Sequence, residues 1–315
     1  MEKETSLKIV NAYYGPEDVT EKIRNFMVGD SLYISTSLDL NMIFSDPQYG
    51  VAKKLRITVI YNSIKSTYIF EEYCSKLKTP CILPHKVILS SIIPQVDDWF
   101  KSLYGIEIGG PSKIVEDMGI YRTCLVDCVN FSNSTTWSEH GELFFNQSGK
   151  LLGRTFISES TDLIDIKDNY YDFVVASHVL EHIANPLLAL KEWTRILKVD
   201  GLLLLILPWK DGTFDHRRQV TSFDDLLHHY KSETKEDDLS HLDEILALHD
   251  LSKDTAAGTL DQFKQRSLKN YENRCLHQHV FDFDLMRQCL DHFNFSIMHL
   301  SLVEPCHQIV IAKKE

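Results

Sequence analysis

The run GLLLLILP, Gly201 to Pro208, constrains the fold more than any other stretch of this chain. A strand with one wet face alternates polar and apolar residues, and this one does not. It reads as a strand covered on both faces, as in the middle of a parallel sheet with helices on either side. It is far too short to cross a bilayer, which needs about 20 apolar residues in a helix. The segment before it, NPLLALKEWTRILK, puts Leu187, Leu190, Trp193, Ile196 and Leu197 on one helical face. A helix that feeds such a strand is half of a parallel crossover unit.

The same alternation extends over the rest of the chain from Ser102 onward. YGIEIGG, TCLVDCV and YDFVVASHV read as strands, and SKIVEDMG as a short helix. This is the pattern of an α/β sheet. Near the end, FSIMHLSLV and HQIVIAKK are separated only by EPC, too short for a helical crossover, so this pair is expected to be antiparallel. Residues 209–275 interrupt the alternation with a polar, acidic stretch whose apolar residues recur at helical spacing, the pattern of a helical lid. Residues 1–92 differ again: LKIVNAYYG, DSLYISTSL, KKLRITVIYN and STYIFEE are short β-branched and aromatic runs between turn residues, the pattern of a small all-β domain. The chain therefore reads as two domains, 1–92 and 100–315. Asp and Glu total 45 against 33 Lys and Arg, a net charge of −12, which argues against a nucleic-acid backbone as partner. The seven cysteines show no metal-binding or redox spacing. The start of the chain lacks the pattern of a signal peptide. Together these features point to a cytoplasmic protein with no membrane or nucleic-acid partner.

The chemistry begins at YGIEIGGPSKIVEDMGIY, Tyr104 to Tyr121. A strand carrying Glu107 ends in Gly109 and Gly110, and a helix follows. The next strand is expected to end in Asp127, about 20 residues on, the spacing at which nucleotide-binding sheets place an acid for ribose hydroxyls. Glycines let the backbone approach a ligand, and the helix start favours an anionic group. Further on comes DFVVASHVLEHIANPLLALKEWTRILKVDGLLLLILP, with Asp172, Val174, Val179, Leu180, Glu181, His182 and Pro186, then Arg195, Leu197, Lys198 and Gly201.

In order and separation these motifs resemble those of the class I S-adenosylmethionine-dependent methyltransferases, over Tyr104 to about Lys314. The resemblance implies a Rossmann-like doubly wound sheet and S-adenosylmethionine as cofactor. It implies that Glu107, Gly109, Gly110, Pro111 and Ser112 face the methionine part, that Asp127 holds the ribose, and that Asp162 with Leu163 meets the adenine. Ser177 and His178 would end the fourth strand at cofactor and substrate, and His182 matches the family's helix-start histidine. One departure stands out. The family's E-x-G-x-G-x-G becomes Glu107-Ile108-Gly109-Gly110-Pro111-Ser112-Lys113, with Pro111 and Lys113 in place of two glycines. Pro111 would pre-set φ at the start of the helix, and Ser112 would cap it or donate to the ligand.

Methyl transfer to a hydroxyl needs a held acceptor and a base for its proton. PWKDGTFDHRRQVTSFDDLL brings Asp215, His216, Arg217 and Arg218 to the end of the long apolar strand, and NRCLHQHVFDFDLM adds His277 and His279. His216, Asp215 and His279 are the catalytic candidates. Arg217, Arg218 and His277 are candidates for acceptor binding, the arginines as a clamp on phosphate or carboxylate or else as an exposed pair. His182 alternatively only caps a helix. His228, His229, His241 and His249 fall on faces expected to be solvated. No metal is assigned, although Asp215, His216, His277 and His279 have suitable side chains. The expected activity is O-methylation of a small hydroxylated acceptor, a sugar or sugar nucleotide. A protein side chain, another metabolite, or a non-catalytic binding module are the alternatives. The N-terminal domain would serve binding or homo-oligomerisation.

Overall fold

The computed structural model describes the chain except residues 1–6, 29–30, 37, 46–47, 49–50, 62–63, 79, 84, 137–143 and 148–149, and the side chains of 28 and 144–147. It divides into two compact units, 1–89 and 90–315.

The first unit is built on antiparallel strands. Lys8–Tyr14 pairs with Lys54–Tyr61, which pairs with Ile64–Tyr73. A smaller sheet joins Met27–Val28, Ser31–Ile34 and Cys81–Leu83. Ala12, Tyr14, Leu55, Ile57 and Phe70 share one core, as their alternation along the strands requires. The unit is not wholly β. Thr20–Arg24 and Leu40–Phe44 are helices, the second capped by Asp39, whose side chain accepts from the backbone N–H of Asn41 and Met42.

In the second unit the strands are β1 (Tyr104–Ile108), β2 (Leu125–Asn130), β3 (Phe144–Gln147), β4 (Lys150–Ile157), β5 (Tyr171–Ser177), β6 (Leu197–Pro208), β7 (Phe295–Val303) and β8 (His307–Lys314). They lie in the order β3-β4-β2-β1-β5-β6-β8-β7. β4, β2, β1, β5 and β6 are mutually parallel, whereas β8 runs antiparallel to both β6 and β7. The sheet is thus doubly wound and Rossmann-like, with the expected antiparallel C-terminal pair. From β1 the chain moves outward to β2 and β4, then returns to the other side of β1 as β5. That reversal opens a crevice at the carboxyl ends of β1 and β5, where such sheets bind ligands.

Helices cover the sheet. α1 (Lys113–Asp117) and α2 (Ile120–Thr123) follow β1, and α3 (Pro186–Ile196) precedes β6. Leu187, Leu190, Trp193 and Ile196 of α3 are buried as their spacing predicts, and Asn185 caps it by accepting from the Leu188 N–H. Leu197 ends the helix and already belongs to β6. The insertion holds α4 (Phe223–Lys231), α5 (Leu242–Leu248), α6 (Leu260–Ser267) and α7 (Asn270–Asn273), with a small core of its own around Ile245, Phe263 and Leu276. α8 (Phe283–His292) leads into β7.

Asp127 does not sit at the end of its strand. It lies inside β2, only 2% exposed. One carboxylate oxygen accepts from the hydroxyls of Tyr104 and Tyr171, the latter at 2.7 Å, and the other from the Arg154 N–H at 2.7 Å. It ties β2 to β1, β5 and β4. Asp127→Ala should therefore act on stability, because it strands the buried Tyr171 hydroxyl, at about 1–3 kcal/mol, and two partly buried donors. We expect a loss of at least about 2 kcal/mol in urea unfolding; a wild-type midpoint would refute the structural role.

Candidate active site

A cavity of about 430 Å3 opens at the carboxyl ends of β1, β2, β4 and β5. Gly109 and Pro111 line it after β1, Asn130 and Phe131 at the end of β2, Ser158 to Ser160 after β4, and Ser177 and His178 at the end of β5. His182, Phe214, Glu236, Arg274 and His277 complete the wall.

The glycine turn is built from beneath. Gly109 has φ +74°, and a Cβ there would lie 2.6 Å from Val179 Cγ2. A Cβ on Gly110 would meet the Glu107 carboxylate at 2.5 Å. Glu107 is fully buried and accepts from the Tyr121 hydroxyl, which in turn accepts from the Ser112 N–H at 3.1 Å. Burial pushes the Glu107 carboxyl up to about 7, against the bonds from Ser112 and Tyr121 that lower it. The Gly110 carbonyl accepts from Asn130 Nδ2 at 3.1 Å. Glu107 therefore holds the turn and does not line the cavity. Pro111 stands two residues before α1, not at its first position, and Ser112 occupies the N-cap without a side-chain capping bond. Lys113 opens α1 with its side chain exposed and paired to Asp117, which explains how a lysine replaces a glycine there without filling the site.

Besides Glu107 and Gly110, which are buried behind the turn, three expected cofactor contacts lie elsewhere. Asp127 is committed inside β2. Asp162 is exposed on the turn after β4, and Leu163 is buried against α3, its N–H donating to Glu192 at 3.1 Å. The residues that reach the cavity stand at or just past the strand ends: Asn130 and Phe131 at the end of β2, Ser158 to Ser160 after β4. Ser177, His178 and His182 do line the cavity, as expected. His178 has φ +53°, and its Nε2 is 2.9 Å from His307 Nδ1.

The catalytic candidates separate. His216 pairs with Asp250 at 2.8 Å, and Arg217 is exposed and joins the same carboxylate at 3.1 Å, so neither lines the cavity. Arg218 is buried and bonded to Asp215, Glu244 and the carbonyls of His277 and Gln278; it is an internal clamp, not a hand for substrate. His279 lies in a separate buried group with His229 and His241, so those two are not solvated. His249 is stacked between Phe214 and Phe263.

His277 is the one that reaches the cavity. Its Nδ1 donates to Asp215 Oδ2 at 2.6 Å, and Asp215 is held from behind by Arg218 at 3.1 Å. The ring packs edge-on to His182, with centroids 4.6 Å apart, and against Phe214. Burial alone would lower its pKa, but the bond and charge of Asp215 outweigh that and raise it above the ordinary imidazole value. His182 behaves oppositely. Its Nδ1 donates to the Leu276 carbonyl at 2.9 Å, and burial, then His277, brings it down to about 4. Beside them Glu181 is fully buried; its oxygens make no hydrogen bond of good geometry among the described residues, although Oε1 lies 3.5 Å from His178 Nδ1 and 3.9 Å from His182 Nε2. One ligand atom each from Glu181, His182 and His277 lie within 4.8 Å of one another, a set suited to a divalent cation.

The far wall is charged. Arg274 bridges Glu159 at 2.6 Å and Glu236 at 3.0 Å and stacks on Phe131. Burial raises Glu236 to about 7, offset in part by Arg274. Sequence reasoning passed over Glu159 and Arg274, although both stand within three residues of positions that drew attention, Asp162 and His277.

Residues 113–205 match the family model described as a methyltransferase domain. No curated protein sequence matches the chain. Solved structures similar to it include a SAM-dependent methyltransferase from Aquifex aeolicus, with 11% identity, TM-score 0.36, and 69% of this chain and 85% of that one covered. Another, from Methanosarcina mazei, has 15% identity, TM-score 0.39, and coverage of 68% and 93%. A third is the 1,6-didemethyltoxoflavin-N1-methyltransferase of Burkholderia thailandensis, at 11%, 0.39, and 69% and 73%. The methyltransferase-domain match thus falls on residues 113–205 of the second unit, whose sheet has the Rossmann-like strand order.

The Glu107 environment has a measurable consequence. The folded carboxyl titrates near 7 and the unfolded one at its ordinary 4.5, so the folded state holds a proton that the unfolded state has lost between those values. Stability therefore falls as pH rises through that window, by roughly 3 kcal/mol. Glu107→Gln should remove this fall, so that its urea midpoint gains on the wild type from pH 4.5 to 7. Parallel pH curves for the two proteins would contradict it.

Proposed function

We propose that the chain methylates a hydroxyl of a small polar acceptor, a sugar or sugar nucleotide, with His277 as the general base. The observation that carries this reading is the Asp215–His277 pair in the cavity wall, the one oriented and raised imidazole that faces the space where an acceptor would sit. Residues Gly109 to Ser112, Asn130 and Ser158 to Ser160 would hold S-adenosylmethionine, the turn at its amino-acid end. The fit rests on the backbone cradle at Gly109, where a side chain would strike Val179. The cofactor supplies a methyl group on a sulfonium already activated for displacement.

The chain's own part is to hold the acceptor and take its proton. Asp215 fixes the His277 tautomer with Nδ1–H donating, which leaves Nε2 as the acceptor for the hydroxyl proton. The new oxygen–methyl bond replaces the sulfur–methyl bond, and the proton ends on Nε2. Arg274, Glu159 and Glu236 give the far wall the alternating charge that suits a hydroxyl-rich acceptor better than a lipid. The N-terminal unit is assigned to recognition or self-association, and the seven unpaired cysteines fit a cytoplasmic setting.

The unsatisfied Glu181 favours a second reading, in which a divalent cation on Glu181, His182 and His277 activates the hydroxyl. Chelation separates the two: turnover that survives exhaustive chelator treatment favours the imidazole base.

His277→Ala should lower kcat by about 100-fold or more while leaving affinity for S-adenosylhomocysteine intact. Protonation removes the base, so wild-type kcat should fall as pH drops through a midpoint above the ordinary imidazole value of 6.5. Asp215→Asn should move that midpoint down. Wild-type kcat in His277→Ala would exclude it as the base.

A further inference from the structure

Outside the cavity, three imidazoles meet in the interior of the insertion. His229 lies in the last turn of α4, His241 at the N-cap of α5, and His279 on the segment before α8. One ligand atom from each falls within 4.8 Å of the others. The Nε2 atoms of His229 and His241 are 3.0 Å apart.

Two of the remaining ring nitrogens are already committed. His279 Nε2 is 3.3 Å from the Ala184 carbonyl, so it carries the hydrogen. His229 Nδ1 is 3.1 Å from Thr234 Oγ1. Outer partners of this kind fix the tautomer of a metal-bound histidine. His279 is 1% exposed, and its Nδ1 has no hydrogen-bond partner among the described residues. A core histidine without a ligand would leave that lone pair buried and unpaired, at about 1–3 kcal/mol. Asp225 stands one turn before His229 on α4, and its Oδ2 is 3.9 Å from His241 Nε2.

We propose that His229, His241 and His279, with Asp225 as fourth ligand, form a structural zinc site. Three imidazoles and a carboxylate are a donor set that zinc accepts tetrahedrally. The site would join α4 and α5 to His279, whose backbone N–H donates to the Glu181 carbonyl at 3.1 Å, beside the His182 of the cavity wall. The ion would thus pin the insertion where it closes one side of the active site, without entering it. This inference does not depend on the choice of acceptor or base.

The test is Co2+ titration of the full-length protein after chelator stripping, read by visible absorption and by metal analysis. The expected result is one equivalent of Co2+ with the intense bands of a tetrahedral ion, displaced by Zn2+. His241→Ala should weaken binding at least 10-fold, as should His229→Gln if the first variant fails to fold. His277→Ala should bind as the wild type does. Two outcomes overturn the site: no stoichiometric binding by the wild type, or binding that survives in both His241→Ala and His229→Gln but is lost in His277→Ala, which puts the ion on Glu181, His182 and His277.

Discussion

The mouth of the sheet depends on the buried contact between Glu107 and Tyr121. β1 must end so that bare backbone faces the crevice, and that requires something to hold the turn from the other side. Glu107 does so with its carboxyl against Gly110 and its bond from Tyr121, whose hydroxyl also receives the Ser112 N–H. Gly110 has to lack a side chain because Glu107 occupies that space. Gly109 has to lack one because its φ is positive and Val179 is close. Of the family's three pattern glycines only Gly109 remains, and Gly110 stands at a position the pattern leaves open. The other two positions fall where a side chain has room: Pro111 is exposed, and Lys113 points to solvent.

A second constraint sets the opposite wall. Arg218 is among the largest fully buried side chains, and its guanidinium collects Asp215, Glu244 and two backbone carbonyls. A buried arginine is tolerable only with such partners, since an unpaired one would cost several kcal/mol. In satisfying itself it draws the GTFDHRR segment and the HQH segment together and hands Asp215 to His277. The His277 imidazole is thus placed by an ion pair that does not line the cavity.

Much of the sheet was legible in the sequence. The continuous apolar run of β6, the amphipathic face of α3 and the three-residue link between β7 and β8 each admit few arrangements, and all three appear as expected. The site was legible in parts. Strand ends came out where turn residues mark them, so Gly109, Ser177 and His178 do line the cavity. Asp127 and Asp162 were misplaced by the same error: an acid near a strand end was taken as facing the ligand. β2 continues three residues past Asp127, so its carboxylate points into the tyrosines and Asn130 takes the end. Partnering among the insertion residues is tertiary, and no spacing along the chain distinguishes His277, held by an aspartate, from His216, held by a different one. His229 and His241 read as solvated for the same reason, since helical position does not reveal what packs on top of it.

On the reading proposed above, the rebuilt glycine turn holds S-adenosylmethionine at the switch point of the sheet. Calorimetric titration of the full chain with S-adenosylhomocysteine tests it most directly. Micromolar binding at a single site, abolished in a folded Gly109→Val variant, is the predicted result. An absence of heat at saturating ligand, or equal binding by the variant, would contradict it.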